Sequence, residues 1–95
     1  MSYHLYYHPD IKKEDLPDIP KNIQERIRRA IEQRLSIEPI KYGEPLKRGL
    51  QGYRKLRVGD YRVVYRVDKE RVIILKIGHR KEVYNRMHLR IERYS

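Results

Sequence analysis

The chain has 95 residues, a formal net charge of +10 at pH 7 and no cysteine. That length supports one domain with one modest core, and the lack of cysteine excludes disulfides and thiolate metal sites. No apolar run approaches the length of a transmembrane helix and no secretory signal peptide is recognisable, so a cytoplasmic protein without a membrane partner is expected.

The whole excess of positive over negative charge lies in the second half of the sequence. Residues 1–46 contain eight basic and eight acidic side chains, whereas residues 47–95 contain fifteen basic and five acidic ones. An excess of this kind is typical of a surface that binds a polyanion, and nucleic acid is the first candidate. The alternative is a basic surface with no specific partner.

A long amphipathic helix is the first strong signal. It follows a predicted strand, Tyr3–His8, and a short polar connection, Ile11–Ile19. Pro20 suits the first helical turn, where the missing N–H of proline costs nothing. One apolar stripe has helical spacing: Ile23, Ile27, Ala30, Ile31 and Leu35. Glu38-Pro39 ends the helix, and a loop is predicted over Ile40–Gln51.

Three strands rich in Val, Ile and Tyr are predicted next, as an antiparallel meander with turns at Gly59-Asp60 and Asp68-Lys69-Glu70. Strict alternation predicts that one set of side chains packs against the long helix: Leu56, Val63, Tyr65, Ile73, Leu75 and Ile77. The other face is expected to be open and cationic, because unpaired buried charge is too costly. Its cations are Lys55, Arg57, Arg62 and Lys76.

The C-terminal stretch His79–Ser95 is predicted to form a turn and then a basic helix. Val83, Met87 and Ile91 recur at four-residue spacing, and Arg90 is one of the cations expected to keep this helix basic. The order β-α-β-β-β-α predicts a small α+β domain, with an antiparallel sheet and helices packed on one face.

The residues favour phosphate chemistry without a metal or another cofactor. The sequence has no glycine-rich phosphate loop and no His/carboxylate cluster with metal-ligand spacing. Arginine binds phosphate oxygens in a bidentate fork and can stabilise charge that develops on a phosphorane. Tyrosine can stack on a base, or move a proton if a cationic pocket lowers its pKa from about 10. RNA suits this set, because its 2′-hydroxyl supplies the nucleophile.

The motifs GDYRVVYRV, residues 59–67, and HRKEVY, residues 79–84, resemble the RelE/ParE superfamily of toxins from toxin–antitoxin pairs. The resemblance is closer to the RelE-like mRNA interferases and covers nearly the whole chain, so residues 1–95 are expected to form one RelE-like toxin domain. It implies a metal-independent endoribonuclease that cuts mRNA in the ribosomal decoding site.

The resemblance also implies roles for individual residues. Arg62 matches the family arginine that contacts the scissile phosphate. Arg80 matches a second arginine, proposed as acid or phosphate ligand. Tyr84 matches the tyrosine proposed as general base or as stacking platform. The implied RNA-binding residues are Lys55, Arg57, His79 and Lys81. The stretch from Arg80 to Tyr84 is shorter than in the best-known RelE enzymes, so His79 is an alternative for proton transfer.

Partners follow from the same resemblance. They are mRNA, the ribosome and a cognate RelB-like antitoxin, whose acidic or amphipathic segment would cover the groove or displace the C-terminal helix. A ParE-like inhibitor of DNA gyrase without ribonuclease activity is the alternative. Sequences of that type generally lack the combination of Arg62, Arg80 and Tyr84, which favours the ribonuclease. A plain basic nucleic-acid binder, or a toxin that has lost its activity, is the third hypothesis.

Overall fold

The computed structural model describes residues 2–47 and 50–94, with side chains described as far as residue 92. Five strands form one sheet: β1 (His4–Tyr7), β2 (Glu44–Pro45), β3 (Tyr53–Val58), β4 (Tyr61–Asp68) and β5 (Arg71–His79). Their spatial order is β1-β5-β4-β3-β2. The α+β fold and the meander, formed by β3, β4 and β5, are confirmed.

One edge of the sheet differs from the prediction. β1 runs parallel to β5, from His4 opposite Arg71 to Tyr7 opposite Ile74, whereas the other strand pairs are antiparallel. The sheet is therefore mixed rather than wholly antiparallel. Parallel neighbours need a crossover of a dozen residues or more, and the chain between β1 and β5, which includes the long helix, provides it.

The long helix forms as predicted. It begins as α1 (Lys21–Ala30) and continues through a π-helical turn, Ile31–Leu35. Its predicted apolar stripe packs on the sheet, with Ile27, Ala30, Ile31 and Leu35 buried. Helical turns at Ile11–Asp15 and Leu16–Asp18 connect β1 to α1.

Two shorter helices complete the described chain. α2 (Pro39–Tyr42) and β2 both lie within the stretch predicted as a loop, of which residues 48 and 49 are outside the described residues. α3 (Met87–Tyr94) is the predicted C-terminal helix and starts four residues after Val83. In the part of the chain that the structure describes, no helix is long and apolar enough to cross a membrane.

Both faces of the sheet carry an apolar core. On the face toward α1, here called the helix face, the strands contribute Leu56, Val58, Val63, Tyr65, Val72, Ile74 and Ile77. On the opposite face, here called the second face, Val64, Ile73 and Leu75 pack with Val83 and Met87. The prediction was therefore wrong for Ile73 and Leu75, which are buried but lie away from α1. It was also wrong in placing the helices on one face, because the C-terminal segment packs on the other.

A β-bulge causes the change of face. Val64 of β4 lies opposite Lys76 of β5, but the next residue, Tyr65, lies opposite Ile74. Leu75 is therefore an extra residue in β5, and the alternation of side chains reverses there. A strict two-residue period cannot anticipate this insertion.

A buried ion pair closes the free edge of β5. β1 accompanies β5 only as far as Ile74, so the following backbone groups need other partners. The Asp15 carboxylate accepts the N–H of Ile77 at 2.9 Å. Arg90 Nη1 donates to the same Asp15 oxygen at 2.6 Å and to the Leu75 carbonyl at 3.3 Å. Arg90, one of the cations expected to keep the C-terminal helix basic, is almost fully buried.

Burial raises the pKa of Asp15, and the hydrogen bonds from Arg90 and Ile77 offset part of that rise. Arg90→Met should lower the free energy of unfolding by about 3–5 kcal/mol, because it leaves the Asp15 carboxylate buried without a countercharge. Asp15→Asn combined with Arg90→Met should cost less than the sum of the two single changes, because the double variant no longer buries an unpaired carboxylate, and asparagine can still accept the Ile77 N–H. Urea denaturation of the four proteins measures this coupling. Strict additivity, or a cost below 1 kcal/mol for Arg90→Met, would contradict it.

Candidate active site

Three of the predicted cations lie side by side on the second face. Arg57 of β3 is directly opposite Arg62 of β4, and Lys55 is opposite Val64. Directly opposed residues of an antiparallel pair project to the same face, and Val64 belongs to the second-face core. The side chain of Arg57 is 59% exposed, and those of Lys55 and Arg62 are half-buried. The strands therefore build a cationic surface beside the second-face core.

The ammonium group of Lys76 is not available on this surface, because it is already hydrogen-bonded. This group donates a hydrogen bond to the Asn85 carbonyl at 2.5 Å. Burial lowers the pKa of Lys76, and the nearby charge of Arg90 lowers it further. Lys76 thus anchors the C-terminal segment on the sheet.

Tyr84 lies where the C-terminal segment meets the cationic surface. After β5 the chain turns back, with the Val83 N–H donating to the His79 carbonyl at 2.9 Å. The Tyr84 ring packs against the second-face core. Its hydroxyl oxygen is buried and has no hydrogen-bond partner among the described residues. A buried polar atom without a partner is rare in folded proteins, which singles out this hydroxyl as a candidate functional group.

The electrostatics of Tyr84 connect it to two of the arginines. Burial raises the pKa of its hydroxyl, while the positive charges of Arg62 and then Arg57 act in the opposite direction. The carboxylate of Glu44 adds a further small rise. The positive charges of Arg62 and Arg57 therefore act on the Tyr84 hydroxyl, but burial outweighs them, and its pKa is raised rather than lowered.

Arg62 is held at the turn between β3 and β4. Its Nη1 donates to the carbonyls of Gly59 at 2.9 Å and Tyr61 at 2.8 Å. These bonds fix one side of the guanidinium group and leave its other N–H groups available. A donor that is already oriented loses little freedom when it binds an anion.

Arg80 comes to the same turn from the end of β5. Its backbone N–H donates to the Asp60 carbonyl at 2.8 Å, and its Nε lies 4.0 Å from an Asp60 carboxylate oxygen. The side chains of Arg80 and Asp60 are 55% and 73% exposed, so this ion pair is weak. Arg62 and Arg80 thus approach one turn from two strands.

His79 and Lys81 are placed differently. His79 lies opposite Tyr61 in the sheet and contacts its ring edge-on, with centroids 5.6 Å apart. Because Tyr61 packs on the helix-face core, His79 projects away from the face that carries Arg62. The His79 Nδ1 accepts the Lys81 N–H at 3.2 Å, and the Lys81 side chain is exposed. The geometry therefore favours Tyr84 over His79 beside Arg62.

Sequence reasoning missed Glu44. This residue belongs to β2, which is only two residues long and lies opposite Lys55. Its carboxylate lies 3.5 Å from the Arg57 guanidinium, and both side chains are more than half exposed. A strand this short has no periodic signal, so nothing in the sequence pairs Glu44 with Arg57.

The described residues include no group of three or more His, Asp and Glu side chains that could hold a metal ion. The arrangement instead offers guanidinium groups on a solvent-accessible surface, with a buried tyrosine hydroxyl at its border. Such a set can bind a phosphate, stabilise added negative charge on it and exchange one proton.

Comparison with known proteins identifies the family. Over residues 6–84 the chain matches the family described as ParE toxin of type II toxin-antitoxin system, parDE. It is 38% identical over 76 residues to Toxin RelG of Mycobacterium tuberculosis, which covers 78% of this chain and 87% of that protein.

Solved structures agree with the family match. The crystal structure of the toxin-antitoxin complex RelBE2 from Mycobacterium tuberculosis contains a similar chain, with a TM-score of 0.74 and 32% identity over 83% of this chain and 99% of that one. The RelB-RelE complex from Methanococcus jannaschii gives 0.63 and 26%, over 84% and 95%. The chain therefore belongs to the RelE/ParE superfamily of toxins of type II toxin–antitoxin systems and is RelE-like.

Proposed function

We propose that the protein is a metal-independent endoribonuclease that cleaves mRNA in the ribosomal decoding site. The observation that carries the proposal is the position of the Tyr84 hydroxyl, which has no hydrogen-bond partner among the described residues and lies in the field of Arg62 and Arg57. We assign proton transfer to this hydroxyl and phosphate binding to the arginines whose charges act on it. The relatives named Toxin RelG and Toxin RelE, both of Mycobacterium tuberculosis, support a toxin of the RelE type.

The reaction needs one base and one centre of positive charge. Tyr84, as phenolate, takes the proton of the 2′-hydroxyl, and the 2′ oxygen attacks the adjacent phosphorus. The bond from phosphorus to the 5′ oxygen breaks, which gives a 2′,3′-cyclic phosphate and, once the leaving oxygen takes a proton from water, a 5′-hydroxyl. Arg62 stabilises the charge on the phosphorane.

Arg80 acts as a phosphate ligand in this scheme rather than as an acid. A guanidinium group keeps its proton under working conditions, so it is a poor proton donor. Its weak pair with Asp60, 4.0 Å long, leaves it free to turn toward an RNA phosphate. Lys55, Arg57 and Lys81 supply attraction for the RNA backbone, and an RNA phosphate would replace Glu44 next to Arg57.

We also propose a RelB-like antitoxin as the regulatory partner, acting with the toxin in the cytoplasm. The two similar chains described above come from complexes with RelB-type antitoxins, and a net charge of +10 favours an acidic segment in the partner.

A ParE-like gyrase inhibitor is the second candidate, because the matching family is described as a ParE toxin. Induction of the protein with separate measurements of translation and DNA supercoiling divides the two functions. Inhibited gyrase without mRNA cleavage would replace the ribonuclease with this alternative.

Arg62→Ala should reduce the single-turnover rate of mRNA cleavage in programmed ribosomes by about 100- to 1000-fold, because it removes a pre-oriented donor to the phosphorane. Arg71→Ala is the matched control, since it removes the same charge from an exposed ion pair with Asp68 in the β4–β5 turn. The control should retain nearly full activity. Equal rates for the two variants would remove Arg62 from the mechanism.

Tyr84→Phe should reduce the same rate by roughly 100-fold or more while RNA binding is unchanged, because the variant keeps the ring and loses the base. Since the pKa of Tyr84 is raised above its ordinary value, only a small fraction is phenolate at neutral pH. The wild-type rate should therefore increase about tenfold per pH unit between roughly pH 6.5 and 8.5.

The pH slope should be lost in Tyr84→Phe and kept in Tyr42→Phe, which changes an exposed tyrosine of α2. A Phe variant with full activity, together with an inactive Ala variant, would show that Tyr84 stacks on a base rather than moving a proton.

Changing both Lys55 and Arg57 to alanine should weaken RNA binding and reduce the slope of log affinity against log salt by about 1–2, since each cation displaces counterions from a single strand. Lys12→Ala with Lys13→Ala removes the same charge from an exposed turn of the other half of the chain. A salt slope that falls equally in both double variants would show that binding depends on net charge and not on defined contacts of Lys55 and Arg57 with RNA.

A further inference from the structure

The turn between β3 and β4 is approached by a third arginine, from α1. Gly59 has a φ of +60°, a conformation that favours glycine. A Cβ atom at Gly59 would lie 3.2 Å from Nη1 of Arg26, so the guanidinium group of Arg26 lies directly over the turn. Arg62 donates to the Gly59 carbonyl from β4, and the Arg80 N–H donates to the Asp60 carbonyl from the end of β5.

Arg26 differs from its neighbours on the same helix. Arg28 forms ion pairs with Glu25 and Glu32, and Arg29 lies 3.5 Å from Glu25. Arg26 is exposed and makes no hydrogen bond or ion pair with a described residue. A guanidinium group placed over a turn without a carboxylate partner is available to an anion in solution.

The balance of charge at the turn is strongly positive. Three guanidinium groups, those of Arg26, Arg62 and Arg80, surround a two-residue turn. Among the described residues, the carboxylate at this turn is that of Asp60, 73% exposed and 4.0 Å from Arg80. Arginine suits phosphate oxygens because its planar fork donates two parallel hydrogen bonds.

We propose that this turn is a second phosphate subsite and that Arg26 binds the RNA phosphate next to the one on which Arg62 acts. The inference rests on the proposed ribonuclease function and extends its site from the second face of the sheet to α1. Nucleic acid is favoured over an acidic peptide because its phosphates recur at every nucleotide, so one strand can contact Arg62 and Arg26 in succession. The lack of a side chain at Gly59 keeps the space beneath Arg26 open.

The test compares wild type with Arg26→Ala, Arg26→Lys and the matched control Arg29→Ala. Arg29 is exposed on the same helix and carries the same charge, and alanine favours the helix in both variants. Affinity is measured at several salt concentrations on ribosomes programmed with an mRNA whose decoding-site nucleotides carry 2′-O-methyl groups, which block cleavage. Cleavage is measured separately on unmodified mRNA.

Arg26→Ala should weaken binding about tenfold at low salt and reduce the salt slope by about 0.7, the value for one phosphate contact on a single strand. It should raise KM and leave kcat unchanged, because the contact exists before and during the reaction. Arg26→Lys should keep the salt slope, and Arg29→Ala should stay within about twofold of wild type.

Identical behaviour of Arg26→Ala and Arg29→Ala would overturn the subsite. So would a loss of affinity in Arg26→Ala that appears only for an acidic antitoxin peptide and not for RNA. Wild-type protein that binds the blocked mRNA but leaves the unmodified mRNA intact would refute the ribonuclease, while the affinities still decide the role of Arg26. Wild-type protein that does not bind programmed ribosomes would overturn both proposals.

Discussion

The structure depends on how the backbone groups of β5 are hydrogen-bonded beyond the point where its neighbour β1 ends. From Leu75 onward one edge of β5 has no strand beside it, although it runs through the core. The buried pair of Asp15 and Arg90 takes over that edge, by accepting the Ile77 N–H and donating to the Leu75 carbonyl. Removing Arg90 would leave the Asp15 carboxylate in the interior without its paired charge, and the pair links the β1–α1 connection to α3. It thereby fixes the C-terminal segment on the second face.

The bulge at Leu75 decides what lies on that face. Reversing the alternation gives β5 apolar side chains for both cores, Ile74 and Ile77 toward α1 and Ile73 and Leu75 toward Val83. The C-terminal segment then packs beside the cationic surface instead of leaving the whole face open. Tyr84 stands at that boundary, with its ring in the core and its hydroxyl in the field of Arg62. The packing of the C-terminal segment on the second face therefore both buries the hydroxyl and brings it into the field of the cations.

Much of the fold and of the candidate site could be predicted from the sequence. There are physical reasons why the rest could not. The meander, the long helix and the shared face of Lys55, Arg57 and Arg62 follow from short-range periodicity, which one sequence contains. The parallel pairing of β1, the bulge and the partnership of Asp15 with Arg90 depend on residues far apart in the chain. The sequence does not distinguish a buried arginine from an exposed one. Glu44 approaches the cationic surface and Arg26 approaches the β3–β4 turn only because of the tertiary fold.

The central claim is that the 2′-hydroxyl of the RNA is the nucleophile and that the protein supplies the base and the positive charge. Programmed ribosomes carrying an mRNA with a single 2′-deoxy substitution at the mapped cleavage position test it most directly. The account predicts that cleavage at that position disappears, whereas the unmodified mRNA yields a 2′,3′-cyclic phosphate and a 5′-hydroxyl. Continued cleavage of the 2′-deoxy mRNA at the same position, with a 5′-phosphate on the downstream fragment, would contradict it.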